Sequence, residues 1–340
     1  MSPRLLLLVL VLCVWLPHAQ AAEQDGAVIL LYHRFGEDAL PSTNIRLEQF
    51  EAQVAELTSG PYHVLPLTEI VAALSEDRPL PARTIGISVD DAFLSVYAEA
   101  WPRLEAAGLP FTLFAATEPL DQRRPNYMSW DQLREMLESE LVTLGAHSVT
   151  HGHMVEQSTI ENLQEIEVAN QRFQAELGLV PTLFAYPYGE YDLALRDMVA
   201  ASGFAAAFGQ QSGAAGPSSD LYALPRFALN EAYGTPERFR LVINALPLPV
   251  SDIAPADPVL GPGDNPPDYR FTVAPEAGSL ANLSCYHQAD RLALEVSEER
   301  RVAVAVTRAF PPGRSRINCT LPAGDGRWRW FGRQFYVPEG

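Results

Sequence analysis

The chain has 340 residues and a formal net charge of −18, and all 24 of its basic residues are arginine. So acidic a chain does not hold polyanions such as nucleic acid through bulk charge; the balance suits a neutral or cationic ligand. The length allows one large domain with a full core and a second, smaller one.

At the N-terminus, Arg4 precedes an apolar run from Leu5 to Leu16, and Ala19-Gln-Ala21 follows as a cleavage signal. This predicts a secretory signal peptide over residues 1–21, too short to span a membrane comfortably, with Cys13 discarded inside it. The mature protein is then expected to be soluble and periplasmic or secreted. Its two cysteines, Cys285 and Cys319, either pair as a disulfide or remain free buried thiols, and an oxidising compartment favours the pair.

Ala27 to His33 predicts a buried strand with a polar end, and Leu47 to Leu57 a helix with Phe50, Val54 and Leu57 on one face. A strand over Thr84–Val89 ends at Asp90 and Asp91. A helix over Tyr97–Ala107 stops at Gly108, and Phe111–Ala115 is the next strand. Ser129-Trp-Asp-Gln132 opens a helix with a capping box, as does Ser158-Thr-Ile-Glu161, whose helix runs to Leu177. Between them a strand over Leu141–Ala146 ends at His147. A strand over Thr182–Tyr186 leads into Pro187-Tyr-Gly189, then come a helix over Leu193–Ala201 and a strand over Ala205–Phe208.

Strands alternating with helices over short connections indicate a parallel α/β sheet, barrel or open. His33, Asp90, Asp91, His147 and Tyr188 all fall where strands end, the site face of a βα barrel. Prolines crowd residues 247–267, a linker or an extended wrapping segment. Beyond it, runs over Tyr269–Val273, Leu292–Val296, Val302–Thr307 and Trp328–Val337 predict a small antiparallel β module over residues 268–340. The α/β domain would span residues 22–246. In the module, Trp328-Arg-Trp-Phe331 suits a small core or sugar stacking.

The chemistry concentrates in two places. Asp90 and Asp91 offer one carboxylate to a metal and leave the other as general base, although an Asp pair at a strand end is also an ordinary helix cap. His147 and His151 can share a zinc-type ion, with His153 as a competing ligand. Three of the seven histidines fall between residues 147 and 153, which favours a site over coincidence. The turn Phe184-Ala-Tyr-Pro-Tyr-Gly189 is either a packed βα connection or a loop whose backbone N–H faces a developing oxyanion.

At these residues the chain resembles the polysaccharide deacetylase family, the NodB-homology or carbohydrate esterase family 4 group. Ser88-Val-Asp-Asp-Ala92 resembles T-F-D-D-G, His147-Ser-Val-Thr-His151 matches H-[ST]-x-x-H, and Phe184-Ala-Tyr-Pro-Tyr-Gly189 stands where F-R-P-P-Y-G is usual. Leu31-Tyr-His-Arg34 is similar to the opening of the exported, biofilm-polysaccharide-modifying branch. The resemblance spans roughly Val28 to Leu229. It implies a distorted (β/α)7 barrel in which Asp91, His147 and His151 hold a divalent metal, zinc before others. Asp90 would then be the base, and Tyr188 the oxyanion donor through its backbone.

Three departures stand out. Ala92 replaces a glycine. Ala185 replaces the arginine that tethers the base, and Arg226 is either its substitute from another strand or a surface arginine. The late L-x-x-H acid motif has no match, which leaves the general acid unassigned, with His33 either near the site or a packed core histidine. The implied function is N-deacetylation of an extracytoplasmic polysaccharide: an N-acetylglucosamine polymer, a chitin-type oligomer or peptidoglycan. The alternatives are a catalytically weak carbohydrate-binding protein on the same fold, and a partner in envelope polysaccharide export.

Overall fold

The computed structural model describes residues 26–339, so the expected signal peptide lies outside the described residues. Six strands pair side by side in chain order, all parallel: β1 (Ala27–Tyr32), β2 (Thr84–Asp90), β3 (Phe111–Ala115), β4 (Val142–Ala146), β5 (Leu183–Ala185) and β6 (Ala206–Phe208). β7 (Ala214–Ala215) runs antiparallel to β1, and β8 (Phe227–Ala228) runs parallel to it. Leu224 makes a parallel bridge with Phe208 of β6, while Phe227 pairs with Leu30 of β1. One short irregular segment therefore touches both edges and curls the sheet into the distorted barrel expected from the sequence.

The two-residue period of the strands sorts side chains between two cores. Val28, Leu30 and Tyr32 of β1, and Ile85, Ile87 and Val89 of β2, face the covering helices in one cluster. Ala27, Ile29, Phe114, Leu183, Ala185, Ala206, Phe208 and Leu224 form a second cluster, the barrel interior. Both faces are buried, which is why β1 is apolar throughout. The interior is narrow and takes small residues. A Cβ on Gly145 would lie 2.2 Å from a Phe114 ring carbon, so that position admits only glycine. The same parity puts His33, Asp90 and His147 on the interior face, at the C-terminal ends of β1, β2 and β4.

The helices follow their sequence signals. Both capping boxes form, with Ser129 Oγ accepting from Gln132 N and Ser158 Oγ accepting from Glu161 N. One helix differs from expectation: Val96–Ala100 is a wide π turn before the α-helix Trp101–Ala107. Pro102 has no N–H to return to the preceding turn, which gives the local reason.

The C-terminal part is a sandwich of two sheets. One contains β9 (Val250–Ala254), β10 (Tyr269–Val273) and β12 (Arg301–Val304); the other contains β11 (Ser284–His287), β13 (Gly313–Pro322) and β14 (Trp328–Val337). Tyr269, Phe271 and Val273 from the first meet Cys285, Ile317, Cys319 and Phe335 from the second in a common core. Cys285 and Cys319 are cross-strand partners and form a disulfide.

Two expectations need correction. Residues 247–267 are not a free linker: Pro247 pairs with Trp330 of β14, and β9 pairs antiparallel with β10. The run Leu292–Val296 is not one strand. It breaks at Ala293, with Asp290–Leu292 in one sheet and Leu294–Val296 in the other. The tryptophan stretch serves mainly as core and interface: Phe331 packs on Phe271 inside the sandwich, and Trp330 packs edge-on against Phe227 of the barrel at 5.2 Å.

Candidate active site

β2 delivers both aspartates. Asp90, the last strand residue, is fully buried on the interior face. The chain then turns, with Asp91 at φ 78° and Ala92 at φ 50°, and this swings the Asp91 carboxylate to the rim. β4 delivers His147, also fully buried. The following loop folds back through Ser148 (φ 67°) to His151 (φ 57°). Ser148 Oγ accepts from His151 N at 3.1 Å, and Glu165 accepts from Val149 N, Thr150 N and Thr150 Oγ1. The helix Thr159–Leu177 thus braces the His loop through a single carboxylate.

Asp91, His147 and His151 converge, each offering a ligand atom within 4.8 Å of the others. His151 Nε2 lies 3.1 Å and His147 Nε2 3.5 Å from Asp91 Oδ1. His147 Nδ1 donates to Ala185 O at 2.7 Å, so Nε2 carries the lone pair that points into the site. That buried Nε2 has no hydrogen-bond partner among the described residues. An orphaned imidazole nitrogen beside a second imidazole and a carboxylate is a donor set that fits a divalent cation of the zinc type, with positions left open. Burial opposes ionisation of Asp91, but the imidazoles of His147 and His151 beside it hold it well below the usual carboxylate range. Burial likewise opposes charging His147, and Asp90 and Asp91 outweigh it, so its pKa is raised.

Arg226 is fully buried, not on the surface. It stands on the segment that closes the barrel and grips Asp90 with both arms: Nη1 to Oδ1 at 2.7 Å and Nη2 to Oδ2 at 2.8 Å. Its remaining donors reach Gly209 O at 2.9 Å and Ser88 Oγ at 3.2 Å. Burial would raise the Asp90 pKa, but Arg226 and then His147 outweigh it, and the carboxyl is held ionised. A guanidinium therefore reaches Asp90 from residue 226, while Ala185 at the usual arginine position only shows its carbonyl to His147.

Tyr188 is in the left-handed region (φ 58°) at the tip of Pro187–Gly189. Its ring stands edge-on to His151 at 4.5 Å and stacks on His153 at 4.2 Å. His153 does not join the ligand set; its Nδ1 lies 2.7 Å from Glu190 Oε2. His33 is half-buried beside the aspartates, since Tyr32 pairs with Val89. Burial lowers its pKa, and the charges that act on it are those of Asp91, Asp90, Arg226 and His147.

Sequence reasoning missed the groups that support the Tyr188 turn from the sandwich. Gln334 Nε2 on β14 donates to Gly189 O at 2.9 Å and Tyr188 O at 3.2 Å. The Arg314 guanidinium lies 5.0 Å from the Tyr188 ring centroid, and the Tyr336 hydroxyl bonds to Glu156. Residues that far along the chain carry no local signal for such contacts.

The polysaccharide deacetylase family model matches residues 77–207, a segment that contains Asp90, Asp91, His147, His151 and Tyr188. Over that segment the chain resembles the polysaccharide deacetylase family. His33 and Arg226 flank the matched segment on either side. A poly-beta-1,6-N-acetyl-D-glucosamine N-deacetylase of Staphylococcus epidermidis is 24% identical over 239 residues, covering 63% of this chain and 82% of the relative. The Escherichia coli (strain K12) protein of the same name is 22% identical over 59% of this chain, which spans only 36% of that relative. Among solved structures, the Streptococcus pyogenes deacetylase PplD superposes with a TM-score of 0.59 at 20% identity, over 64% of this chain and 98% of that one. IcaB from Ammonifex degensii gives 0.57 at 24% identity, over 64% and 96%. These structures show the same fold. In each case the shared part leaves about a third of this chain outside it.

Proposed function

We propose that the chain is a metal-dependent hydrolase that removes N-acetyl groups from a polysaccharide outside the cytoplasm. The observation that carries this reading is the pairing of two groups in one site. An open Asp91–His147–His151 ligand set with an orphaned His147 nitrogen lies beside a carboxylate, Asp90, held ionised by Arg226. The polymer named for the staphylococcal and E. coli relatives, poly-beta-1,6-N-acetyl-D-glucosamine, places N-acetylglucosamine polymers among the substrates to test first. The disulfide between Cys285 and Cys319 supports an oxidising compartment. No described helix is long and apolar enough to cross a membrane.

In this reading Asp91, His147 and His151 would hold the cation. A divalent ion there supplies Lewis acidity toward the acetamide carbonyl and makes a water more acidic. Asp90 accepts the proton of the attacking water, a role that requires the ionised form Arg226 maintains. The Tyr188 backbone N–H donates to the oxygen that gains charge in the tetrahedral intermediate. We assign His33 as the proton donor to the departing amine, the role for which the sequence offers no late histidine motif. It is an imidazole on the interior face beside the base; burial lowers its pKa, and the charges of Asp91 and Asp90 favour its protonated form against that.

Acetate release from N-acetylglucosamine oligomers, measured with and without a chelator, tests the proposal. The expected result is metal-dependent release that disappears in Asp91→Ala. Release by the metal-free protein, or full activity in that variant, refutes it. Oligomer binding with no release by the metal-loaded wild type would instead support a binding protein on the same fold.

A further inference from the structure

The two arginines on one face of β13 carry an inference about the substrate that rests on the deacetylase reading. Ser315, Ile317, Cys319 and Leu321 point into the sandwich core, so Arg314 and Arg316 point the other way. Their cross-strand partners are Tyr336 and Gln334, and Gln334 is the residue that reaches the Tyr188 turn. This face of the sheet therefore forms a wall of the proposed active site. Arg314 approaches the Tyr188 ring, which in turn touches the ring of His151.

Arg316 has no carboxylate partner among the described residues, and Arg314 has only a loose one. Arg316 Nε donates to Gln334 Oε1 at 2.7 Å, a neutral partner, and its other donors make no hydrogen bond among the described residues. No described carboxylate lies within ion-pair distance of it. Arg314 Nη1 comes only to 3.6 Å from Glu190 Oε1, beyond hydrogen-bond reach. The other oxygen of Glu190 is taken by His153. Burial, followed by the charge of Arg314, pushes the Arg316 pKa down to about 10. Elsewhere in this acidic chain arginines find carboxylates readily, as Arg172, Arg196 and Arg226 do. Two adjacent guanidiniums with spare donors beside the proposed active site match the planar geometry of a carboxylate.

We propose that Arg314 and Arg316 form an anion subsite beside the proposed active site, suited to a polymer that carries a carboxylate on a sugar next to the N-acetylated one. The arginines hold that carboxylate while the neighbouring acetamide occupies the metal site. The partly exposed Arg314 makes first contact, and the more enclosed Arg316 fixes its depth. Tyr233, 54% exposed and within electrostatic reach of Arg316, offers an aromatic flank to the same face.

The test compares three substrates of equal length: neutral N-acetylglucosamine oligomers, oligomers alternating N-acetylglucosamine with glucuronic acid, and glycan strands alternating N-acetylglucosamine with N-acetylmuramic acid. Metal-loaded wild type is expected to show a kcat/KM about tenfold or more higher on at least one acidic substrate, and rising salt should narrow the gap. Which acidic substrate gains identifies the source of the carboxylate. Arg314→Gln and Arg316→Gln should remove that preference through KM, with a loss on the acidic substrate that exceeds any loss on the neutral one, whereas Arg314→Lys keeps part of it. Should Arg316→Gln fail to fold, the exposed Arg314 carries the comparison. Equal rates on all three substrates, or a preference that survives Arg314→Gln, overturns the subsite and leaves the deacetylase reading intact. Absence of acetate from every substrate counts against the deacetylase reading instead. Direct binding of the acidic oligomers to wild type and Arg314→Gln then still decides the subsite: binding lost with the arginine supports it, and equal binding overturns it.

Discussion

Arg226→Met is the most informative single change, because it removes the guanidinium and keeps most of its buried stem. In the wild type both partners are fully buried and joined by two hydrogen bonds, at 2.7 and 2.8 Å. Breaking a buried pair by removing one partner costs about 3–5 kcal/mol, because the surviving charge is left uncompensated. Asp90 can avoid part of that cost by taking up a proton. Each unit by which a pKa rises corresponds to about 1.36 kcal/mol, so a rise from about 3.9 to neutrality costs about 4 kcal/mol. The two costs are comparable, so the Asp90 pKa in the variant should rise well above the usual carboxylate range.

That shift reverses how Asp90 contributes to stability with pH. In the wild type its folded pKa is depressed. Its contribution is therefore present above the unfolded value and is lost as pH falls through the folded one. In Arg226→Met the folded pKa is raised, so stability is best retained at low pH and is lost as pH climbs toward the new value. Urea unfolding of the metal-free proteins should show a gap of about 3–5 kcal/mol at pH 7.5 that shrinks toward pH 4.5. The acid limb of kcat/KM should move toward neutrality in the metal-loaded variant. Arg226→Met/Asp90→Asn should lose less stability than the two single changes added together, since neither charge is then stranded. A variant with wild-type stability and an unmoved acid limb would refute both the tether and the assignment of Asp90 as base.

Two further outcomes are expected. His33→Gln should bind metal as the wild type does, measured by elemental analysis, and lose about 10²–10⁴ in kcat, the range for a general acid; undiminished turnover would remove His33 from the mechanism. Ala92→Gly should be nearly silent in unfolding experiments. Relief of a left-handed alanine, about 1–2 kcal/mol, is offset by about 0.8 kcal/mol for a buried methyl and by the greater freedom of glycine in the unfolded chain. A destabilisation above about 2 kcal/mol would show that the Ala92 methyl is needed for packing at this fully buried position.

The candidate site was legible because each of these parts is local. Asp-Asp follows one strand, His147 and His151 lie four residues apart, and the turn at Tyr188 has its own short motif. The tether was ambiguous because its two halves are 136 residues apart, and nothing near Arg226 distinguishes a buried arginine from a surface one. His33 was within reach of the sequence. Counting in twos along β1 puts it on the face of Ile29, and the same count along β2 puts Asp90 on the face of Ser88. What was missing was the pairing of Tyr32 with Val89, which brings those two faces side by side. The strands β11 and β13 escaped notice because their exposed faces are polar and dilute the apolar alternation that marks β10. The role of Gln334 could not be read at all, since an amide in a terminal strand has no sequence signature for a carbonyl 145 residues away.

Backbone strain ties these parts together. Asp91, Ala92, Ser148, His151 and Tyr188 are all non-glycine residues at positive φ, and all lie within or next to the site. At about 1 kcal/mol or more apiece, they store on the order of 5 kcal/mol that the loops would release if free to relax. Each strained loop is held by groups that are not themselves ligands. Ser148 and Glu165 hold the turn to His151, the pairing of Asp91 N with Phe114 O anchors the aspartate turn to β3, and Gln334 holds Tyr188 and Gly189. The first two restraints come from the barrel, whereas the third comes from the sandwich. The C-terminal sandwich is therefore a structural part of the Tyr188 turn. The barrel by itself would position Asp90, Asp91, His147 and His151 but leave the strained Tyr188 turn without its restraint from Gln334.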